Sequence, residues 1–329
     1  MRPTAEARVQ RFDMFSAITA EGLRHHTVVQ EVAALRVGFG RHVTLRADKA
    51  AVAAMLQIAL LLPLAQAAPL PPRLRDDTLA AFERYVRQTD QRNQAELAAG
   101  TGLLWVDTLP DPQRQAAYTA LRRGEVQIQQ LTTLDNGKAI PCPGGLIHHW
   151  AGAVFIPSVK LDAVLAVLED YDHQSTVYAP DVERSRIESR DGDHFRVFLR
   201  FRRHKVITVV LDTEHDIRYY RDTPVRAHSR SSAVRIAEVE NPGKSDEREK
   251  PVGDDGGFLW RMETWWRMEE RDGGVYVQSE VVSLTRDIPT GLGWMIGPFV
   301  TSIPKETLAF TLNATRKAVG AKTASGNTP

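Results

Sequence analysis

The feature that most restricts the fold is the alternation of apolar and charged residues in two segments between Pro180 and Arg286. In the first segment the alternating apolar residues are Phe195, Val197, Leu199 and Phe201, with arginines at 196, 200 and 202 and Phe198 as the exception. In the second, one face carries Phe258, Trp260, Met262, Thr264, Trp266 and Met268, and the other carries Arg261, Glu263, Arg267 and Glu269. Successive side chains of a strand point to opposite faces, so both segments are predicted to be strands with one apolar face.

Tight-turn pairs and helical periodicity set the order of the predicted elements. Asp-Gly pairs at 191–192 and 272–273 predict hairpins, and therefore antiparallel pairing. Residues 146–156 are predicted to form a strand, 157–171 to begin and complete a helix, and 302–319 to form a closing helix. An apolar sheet face must be buried, and the closing helix is long enough to cover it. We therefore predict an α+β fold, an antiparallel sheet curled around a long C-terminal helix.

The segment before this sheet is predicted to be small and mainly helical. Helices are expected at about 77–99 and 111–123, each followed by a glycine. A short strand at 125–131 and an Asp-Asn-Gly turn follow. We expect the segment 68–145 to pack against the main domain.

The most apolar stretch, AAVAAMLQIALLLPLAQAAPLPP at 50–72, contains no charged residue. Its dense part, 52–64, is shorter than the roughly 20 apolar residues of a membrane-spanning helix. Arg46 and Lys49 precede it, and Ala-Gln-Ala follows at 65–67, as in a secretory signal with its basic flank and cleavage site. The stretch therefore predicts a signal peptide; a non-cleaved anchor is the alternative.

A signal peptide has to lie near the start of the translated chain. We therefore expect translation to begin near Val43, so that residues 1–42 are no part of the mature protein. Residues 43–67 are then the signal peptide or anchor, and the protein is predicted to be extracytoplasmic, in the periplasm or secreted, with anchoring by 50–68 as the alternative. N-terminal sequencing checks this, and a mature chain that begins before residue 50 would contradict it.

Charge and cysteine content exclude two classes of protein. Lys plus Arg number 42 and Asp plus Glu 41, so the formal net charge of +1 gives no electrostatic reason for nucleic-acid binding. The lone Cys142 excludes an internal disulfide. We predict no cofactor and no nucleic-acid partner.

Residues 146–319 resemble the START-like superfamily (SRPBCC), also called the polyketide cyclase and lipid-transfer superfamily. Two segments carry the resemblance: GAVFIPSVKLDAVLAVLEDYDHQSTVYAPDVERSRI, and DIPTGLGWMIGPFVTSIPKETLAFTL before the closing helix. The resemblance implies the helix-grip fold over 146–320, with a disordered tail at 321–329, and an internal cavity for an apolar ligand. It implies no particular activity, because members include carriers, cyclases and steroid binders.

Large apolar residues on the predicted inner faces, and in the Gly-rich segment 291–297 and its end, are candidates for lining this cavity. Plain core packing is the alternative for each of them. The candidate ligand-binding residues are Phe195, Phe201, Phe258, Trp260, Met262, Trp266, Met268, Trp294, Met295 and Phe299.

Catalysis requires an acid or base that faces the cavity. The charged residues of the alternating strands fall on the opposite face, which leaves Tyr171, His149 and Arg286 as candidates. His148 and His149 are neighbours on one strand and point to opposite faces, so we predict no metal site.

Three functions remain open on the sequence. The favoured one is a non-catalytic protein that binds or carries a lipid or other apolar small molecule. The second is a cyclase, isomerase or dehydratase acting on a polyketide-like or terpenoid substrate, and the third is an interaction module of the cell envelope. The basic run 200–205 is predicted to be a solvated turn between two strands. Contact with lipid head groups is the alternative, because a carrier must touch a membrane.

Overall fold

The computed structural model describes residues 72–100, 102–204, 207–288 and 293–326, with the backbone alone for 293–301 and 325–326. The predicted signal peptide and the segment before it lie outside the described residues. From residue 72 onward, the described chain belongs to one compact unit.

Helices begin and end the described chain, and strands occupy its middle. The helices are α1 (Asp76–Ala99), α2 (Asp111–Arg122), α3 (Leu161–Leu168), α4 (Gln174–Val177) and α5 (Gly293–Gly326). Single turns of 3-10 helix occur at Trp105–Thr108 and Tyr171–His173. The first strands are β1 (Gln127–Gln130), β2 (Leu134–Asp135), β3 (Lys138–Ala139), β4 (Gly145–Pro157), β5 (Val182–Asp191) and β6 (His194–His204). The remaining strands are β7 (Thr208–Thr223), β8 (Arg226–Glu240), β9 (Arg248–Glu249), β10 (Arg261–Arg271) and β11 (Gly274–Arg286).

Nine of these strands form one antiparallel sheet. Its spatial order is β1-β4-β11-β10-β8-β7-β6-β5, and β9 pairs with β8. The strands β5 to β8 follow one another as hairpins, and β10 and β11 form another hairpin. Strands β2 and β3 form a separate two-stranded hairpin around the predicted Asp-Asn-Gly turn.

The helices α3, α4 and α5 cover one face of the sheet, which we call the inner face. Leu308 and Leu312 of α5 are buried beside Gly152 of β4. A Cβ atom at position 152 would lie 2.7 Å from Cδ1 of Leu312 and 3.2 Å from Leu308. The missing side chain at Gly152 therefore lets α5 approach the backbone of β4. The core under these helices includes Val154, Leu165, Phe195, Val197, Ile217, Met268 and Val277.

The helical segment at the start of the described chain covers the other face, which we call the outer face. Phe82 and Tyr85 of α1 pack with Trp265 of β10 in one apolar cluster. Tyr118 of α2 packs with Tyr276 of β11 in a second one, with ring centroids 5.3 Å apart. The sheet is thus buried on both faces, which is why β4 is buried at nearly every position from His148 onward.

The two edges of the sheet differ. The short strand β1 lies at one edge and β5 at the other. The pairing of β5 with β6 slips twice, between Val182 and Arg184 and between Ile187 and Ser189. These are β-bulges, which bend and twist an edge strand.

The predicted fold class is confirmed: an antiparallel sheet packs against a long C-terminal helix and is preceded by a helical segment. The strand, helix, strands and closing helix follow in the order that the START-like resemblance implies.

Four predicted boundaries differ from the structure. Helix α5 starts at Gly293, inside the Gly-rich segment that precedes the predicted closing helix 302–319, and it continues to Gly326. Part of the predicted disordered tail, up to Gly326, is therefore helical, and the alanines and lysine at 321–324 favour this. Strand β6 extends to His204, where a turn was predicted, and β10 begins only at Arg261.

Candidate functional site

Four half-buried residues form a row across the middle of the inner face. They are Trp150 on β4, Val281 on β11, Thr264 on β10 and Ser231 on β8. Strand register places each directly beside the next. Val154, Val277 and Met268, which lie closer to the 271–274 turn on these strands, are fully buried under α3, α4 and α5. Solvent therefore reaches the inner face at this row, which we call the inner row.

The inner row is flanked by large apolar side chains. Trp266 and Met262 lie on either side of Thr264 on β10, and both are half-buried. Phe201 of β6 is also half-buried and packs against the cluster formed by Leu211, Ala233 and Ile236. An accessible strip with apolar walls is therefore present on the covered face of the sheet.

A histidine that the sequence prediction missed, His215 of β7, lies next to the inner row. Its side chain is 3% exposed, and its ring meets the Phe201 ring edge to face at 6.2 Å between centroids. Nε2 of His215 is 2.8 Å from Oγ1 of Thr213, and Nδ1 is 3.4 Å from Oγ of Ser231. His215 therefore connects the inner row to β7.

The hydrogen-bond pattern fixes the proton of this imidazole. The Thr213 hydroxyl donates to the Leu199 carbonyl oxygen at 2.9 Å, so Thr213 must accept from Nε2–H of His215. Nδ1 then carries a lone pair directed toward Ser231. Burial lowers the pKa of His215 to about 4, which keeps the ring neutral at pH 7.

Two further polar groups near the inner row have no hydrogen-bond partner among the described residues. Oγ of Ser229, on β8 beside Trp266, is buried and unpaired, and the whole residue is 1% exposed. Nε1 of Trp150 is also buried without a partner there. Buried polar groups are nearly always hydrogen-bonded, so each such group calls for an explanation.

The described side chains in the three rows around Trp150 carry no formal charge. These rows contain His148, Ser283, Met262, Ala233 and His215; Trp150, Val281, Thr264, Ser231 and Ile217; and Gly152, Ser279, Trp266, Ser229 and Tyr219. Burial lowers the pKa of His148 as it does that of His215, so both rings are neutral at pH 7.

The predicted lining residues are distributed over several environments. Phe195 and Met268 are fully buried in the main core, whereas Phe201, Met262 and Trp266 lie around the inner row. The side chains of Trp294, Met295 and Phe299 lie outside the described residues.

Two predicted lining residues lie away from the inner face. Trp260 is buried in the outer cluster with Phe82, and its Nε1 donates to Asp255 at 3.1 Å. Phe258 is 38% exposed beside Arg286, whose guanidinium lies 5.8 Å from the ring centroid. The alternation was extended too far, because β10 begins at Arg261 and the chain before it is not a strand.

His149, a predicted catalytic candidate, lies on the outer face in a buried network. The Tyr85 hydroxyl is 2.9 Å from its Nδ1, and Oε1 of Glu280 is 2.8 Å from its Nε2. The backbone N–H of Thr133 donates to the Tyr85 oxygen, so the Tyr85 proton points to Nδ1. Nε2–H of His149 then donates to Glu280, which also binds the guanidinium of Arg92.

This network connects the outer face to α1 and leaves His149 1% exposed. Burial lowers the pKa of His149 despite the carboxylate beside it. Burial alone would raise the pKa of Glu280, but the hydrogen bond from His149 and the charge of Arg92 hold it below its ordinary value. The arrangement joins the two layers and leaves no room for a substrate at the imidazole.

Tyr171 and Arg286, the other catalytic candidates, lie apart from each other and from the inner row. The Tyr171 hydroxyl is 2.8 Å from that of Tyr219, which donates to the Leu168 carbonyl oxygen at 3.2 Å. Burial, with Tyr219 nearby, raises the pKa of Tyr171 well above its ordinary value. Tyr171 is thus a core residue, and Arg286 lies at the end of β11 beside Phe258.

The basic run is largely neutralised by carboxylates. Arg200 makes a two-point contact with Asp212, at 2.6 and 2.7 Å, and a third with Glu247 at 2.8 Å. The next two arginines also bind carboxylates, Arg202 with Glu183 and Arg203 with Asp181 and Glu306. These arginines are therefore poor candidates for binding lipid head groups.

The described residues contain neither a candidate metal site nor a helix fit to cross a membrane. No group of three or more His, Cys, Asp or Glu side chains there could hold a metal ion. Among the same residues, no helix combines the length and the apolar composition that crossing a membrane requires.

His215 was missed because the sequence analysis followed alternation only in the segments 195–202 and 258–269. Strand β7 runs on to Thr223, and Leu211, Thr213, His215, Ile217 and Tyr219 alternate along it. This alternation was the available signal. Whether the polar atoms of Ser229 and Trp150 find a partner depends on residues distant in the sequence, so no sequence pattern could have indicated it.

Neither a family model nor a curated protein matches the sequence. Similar solved structures include a fragment of the STAR-related lipid transfer protein of Xanthomonas axonopodis, at 19% identity and TM-score 0.39, covering 58% of this chain and 98% of that one. Another is the Zhui aromatase/cyclase of a Streptomyces species, at 13% identity and TM-score 0.36, covering 56% and 100%. A third is human STARD10, at 10% identity and TM-score 0.37, covering 66% and 84%. At these TM-scores the matches carry no argument about ligand or activity.

Proposed function

We propose that this chain binds a lipid or other apolar small molecule between the inner face and α5 and releases it unchanged. The observation that carries the proposal is the inner row, which solvent reaches although the sheet is buried on both sides of it. In a filled core, these four side chains would be as buried as Phe195 or Met268.

The chemistry of the strip suits an apolar molecule. Trp266, Met262 and Phe201 supply apolar walls, and the three rows carry no charge to repel an alkyl or ring system. Each methylene moved from water into such a strip contributes about 0.8 kcal/mol. A ligand of ordinary lipid length can therefore be bound without a charged contact.

The same geometry favours carriage over catalysis. Two neutral imidazoles, His148 and His215, face the strip among the described residues. Nε2 of His148 is 3.1 Å from the Thr285 hydroxyl oxygen, and the contact of His215 with Ser231 at 3.4 Å is longer than the roughly 2.6–3.2 Å of an activated nucleophile pair. His149, with its carboxylate, lies on the other face under α1. A cyclase or dehydratase would need a general acid that faces the strip as well as a base.

We also propose that the carrier works outside the cytoplasm. This rests on the apolar stretch at 50–72 and its signal-like flanks, which lie outside the described residues.

The binding proposal is tested with Nile red, an uncharged dye whose fluorescence rises in apolar surroundings. Thr264→Phe places a large ring in the inner row, and Val234→Phe places the same ring on the surface of β8, where Val234 is 51% exposed. Thr264→Phe is expected to weaken saturable dye binding at least tenfold, and Val234→Phe to leave it unchanged. Both proteins keep the 50–72 stretch, so dye bound there is common to both. Equal binding by the two variants would refute the proposal.

A further inference from the structure

We propose that the ligand is uncharged and largely apolar and carries a hydroxyl group that donates a hydrogen bond to Nδ1 of His215. The inference deepens the proposed function and depends on it. It names the class of ligand and the atom that selects it.

The first argument is that the lone pair on Nδ1 of His215 has no hydrogen-bond donor at an ordinary distance among the described residues. Thr213 holds the ring by Nε2–H, which leaves Nδ1 as a hydrogen-bond acceptor. The described group that faces it, Oγ of Ser231, is 3.4 Å away, beyond the roughly 2.7–3.2 Å of an ordinary hydrogen bond between nitrogen and oxygen. A ligand hydroxyl that donates to Nδ1 and accepts from Ser231 replaces this long contact with two ordinary ones.

The second argument is that other polar groups on the strip are also unpaired among the described residues. Oγ of Ser229 lies two residues from Ser231 on the same face of β8, and it is buried without a partner. Nε1 of Trp150, at the far end of the inner row, is a second buried group of this kind. A purely hydrocarbon ligand would leave all these groups unpaired, whereas an oxygenated one can bind some of them.

The third argument concerns charge. A carboxylate or phosphate buried at the strip would need a cation, because burying an unpaired charge is far more costly than burying a hydroxyl. The three rows contain no lysine or arginine among the described side chains. The site is therefore built for a neutral head group.

The test compares two isomers, 1-decanol and 1-methoxynonane, as competitors of Nile red on the full chain. Both have an oxygen that accepts a hydrogen bond, but the alcohol alone can donate one. The measured quantity is the ratio of the two inhibition constants. The cost of removing each competitor from water is the same for every variant, so it cancels when the ratios of two variants are compared. Decanoate serves as the charged competitor.

His215→Leu removes the acceptor and leaves the Thr213 hydroxyl bonded to Leu199, so no donor is stranded. This variant is expected to shift the ratio about threefold to tenfold against the alcohol, the loss of one hydrogen bond to a neutral group. Ser231→Ala is expected to weaken both competitors and to leave the ratio unchanged. His215→Asn, whose Oδ1 takes the place of Nδ1, is expected to retain the wild-type ratio.

The outcomes separate this inference from the proposed function. If Nile red binding depends on Thr264 but His215→Leu leaves the ratio unaltered, the inference is wrong and the binding proposal stands. A ratio that changes in Ser231→Ala instead, or tighter binding of decanoate than of decanol, overturns the inference as well. If Thr264→Phe binds Nile red as tightly as the wild type, both the proposed function and this inference are refuted.

Discussion

Replacing Gly152 with alanine tests how closely α5 is seated on the inner face. The added Cβ would lie 2.7 Å from Cδ1 of Leu312, about 0.7 Å inside the ordinary contact distance that begins at 3.4 Å. Leu312 is fully buried, so its side chain can move only by displacing its neighbours, and the side chain, α5 or β4 must shift. Overpacking of this kind costs about 1–3 kcal/mol, although alanine in a strand regains about 0.5–1 kcal/mol over glycine. We expect Gly152→Ala to lower the free energy of unfolding by about 1–2 kcal/mol.

A matched substitution and a double variant make the measurement specific. Gly320 lies in α5, and a Cβ atom added there would meet no atom of the described residues within 4 Å, so Gly320→Ala should stabilise the protein by up to about 1 kcal/mol. Leu312→Ala alone should cost about 2–5 kcal/mol because it leaves a cavity. In Gly152→Ala/Leu312→Ala the new methyl group occupies part of that cavity, so the double variant should be more stable than the sum of the single effects implies.

The assay is urea unfolding followed by circular dichroism, with the slope of the transition checked for constancy across the variants. If Gly152→Ala and Gly320→Ala both raise the free energy of unfolding, Gly152 has free space above it. Strictly additive effects of Gly152→Ala and Leu312→Ala would show that the two residues do not meet. Either result would refute the close packing of Leu312 of α5 against Gly152 of β4.

Two further predictions concern buried titratable groups. Burial lowers the pKa of His148, His149 and His215, whereas unfolded histidine titrates near pH 6.5, so below that pH the unfolded state binds more protons and the free energy of unfolding falls as pH falls. The free energy of unfolding is expected to fall by about 1.4 kcal/mol per pH unit for each histidine, down to about pH 4 for His215. Between pH 7 and pH 5, urea unfolding should show a smaller fall in His215→Leu than in the wild type. Equal falls would contradict this assignment. Tyr171→Phe should cost about 1 kcal/mol and leave Nile red binding unchanged, because the Tyr219 hydroxyl keeps its bond to Leu168; altered dye binding would move Tyr171 into the site.

The general form of the fold followed from residue alternation because alternation reports which face of a strand is buried. The strands β6 and β10 were predicted this way, whereas Asp-Gly pairs predicted the hairpins and helical periodicity predicted the closing helix. Boundaries were less accurate, because burial by distant residues decides them. Trp260 illustrates this: its alternation continues that of β10, but contact with Phe82 of α1 places it in the outer cluster.

The sequence predicted less of the site than of the fold. Phe201, Met262 and Trp266 were placed near the strip by their parity. The role of His215 also depends on Ser231, which strand pairing brings to it from β8. His149 is the converse case. Its chemistry made it a candidate, and its contacts with Tyr85 and Glu280 give it a structural role instead.

The bulged strand β5 has a consequence for how copies of this chain can meet. Its unpaired backbone groups could act as a template on which a second chain adds a strand, the first step of polymerisation. Two slips in register disrupt any straight run of donors and acceptors along this edge. Growth of the sheet from one molecule into the next is thereby disfavoured at β5.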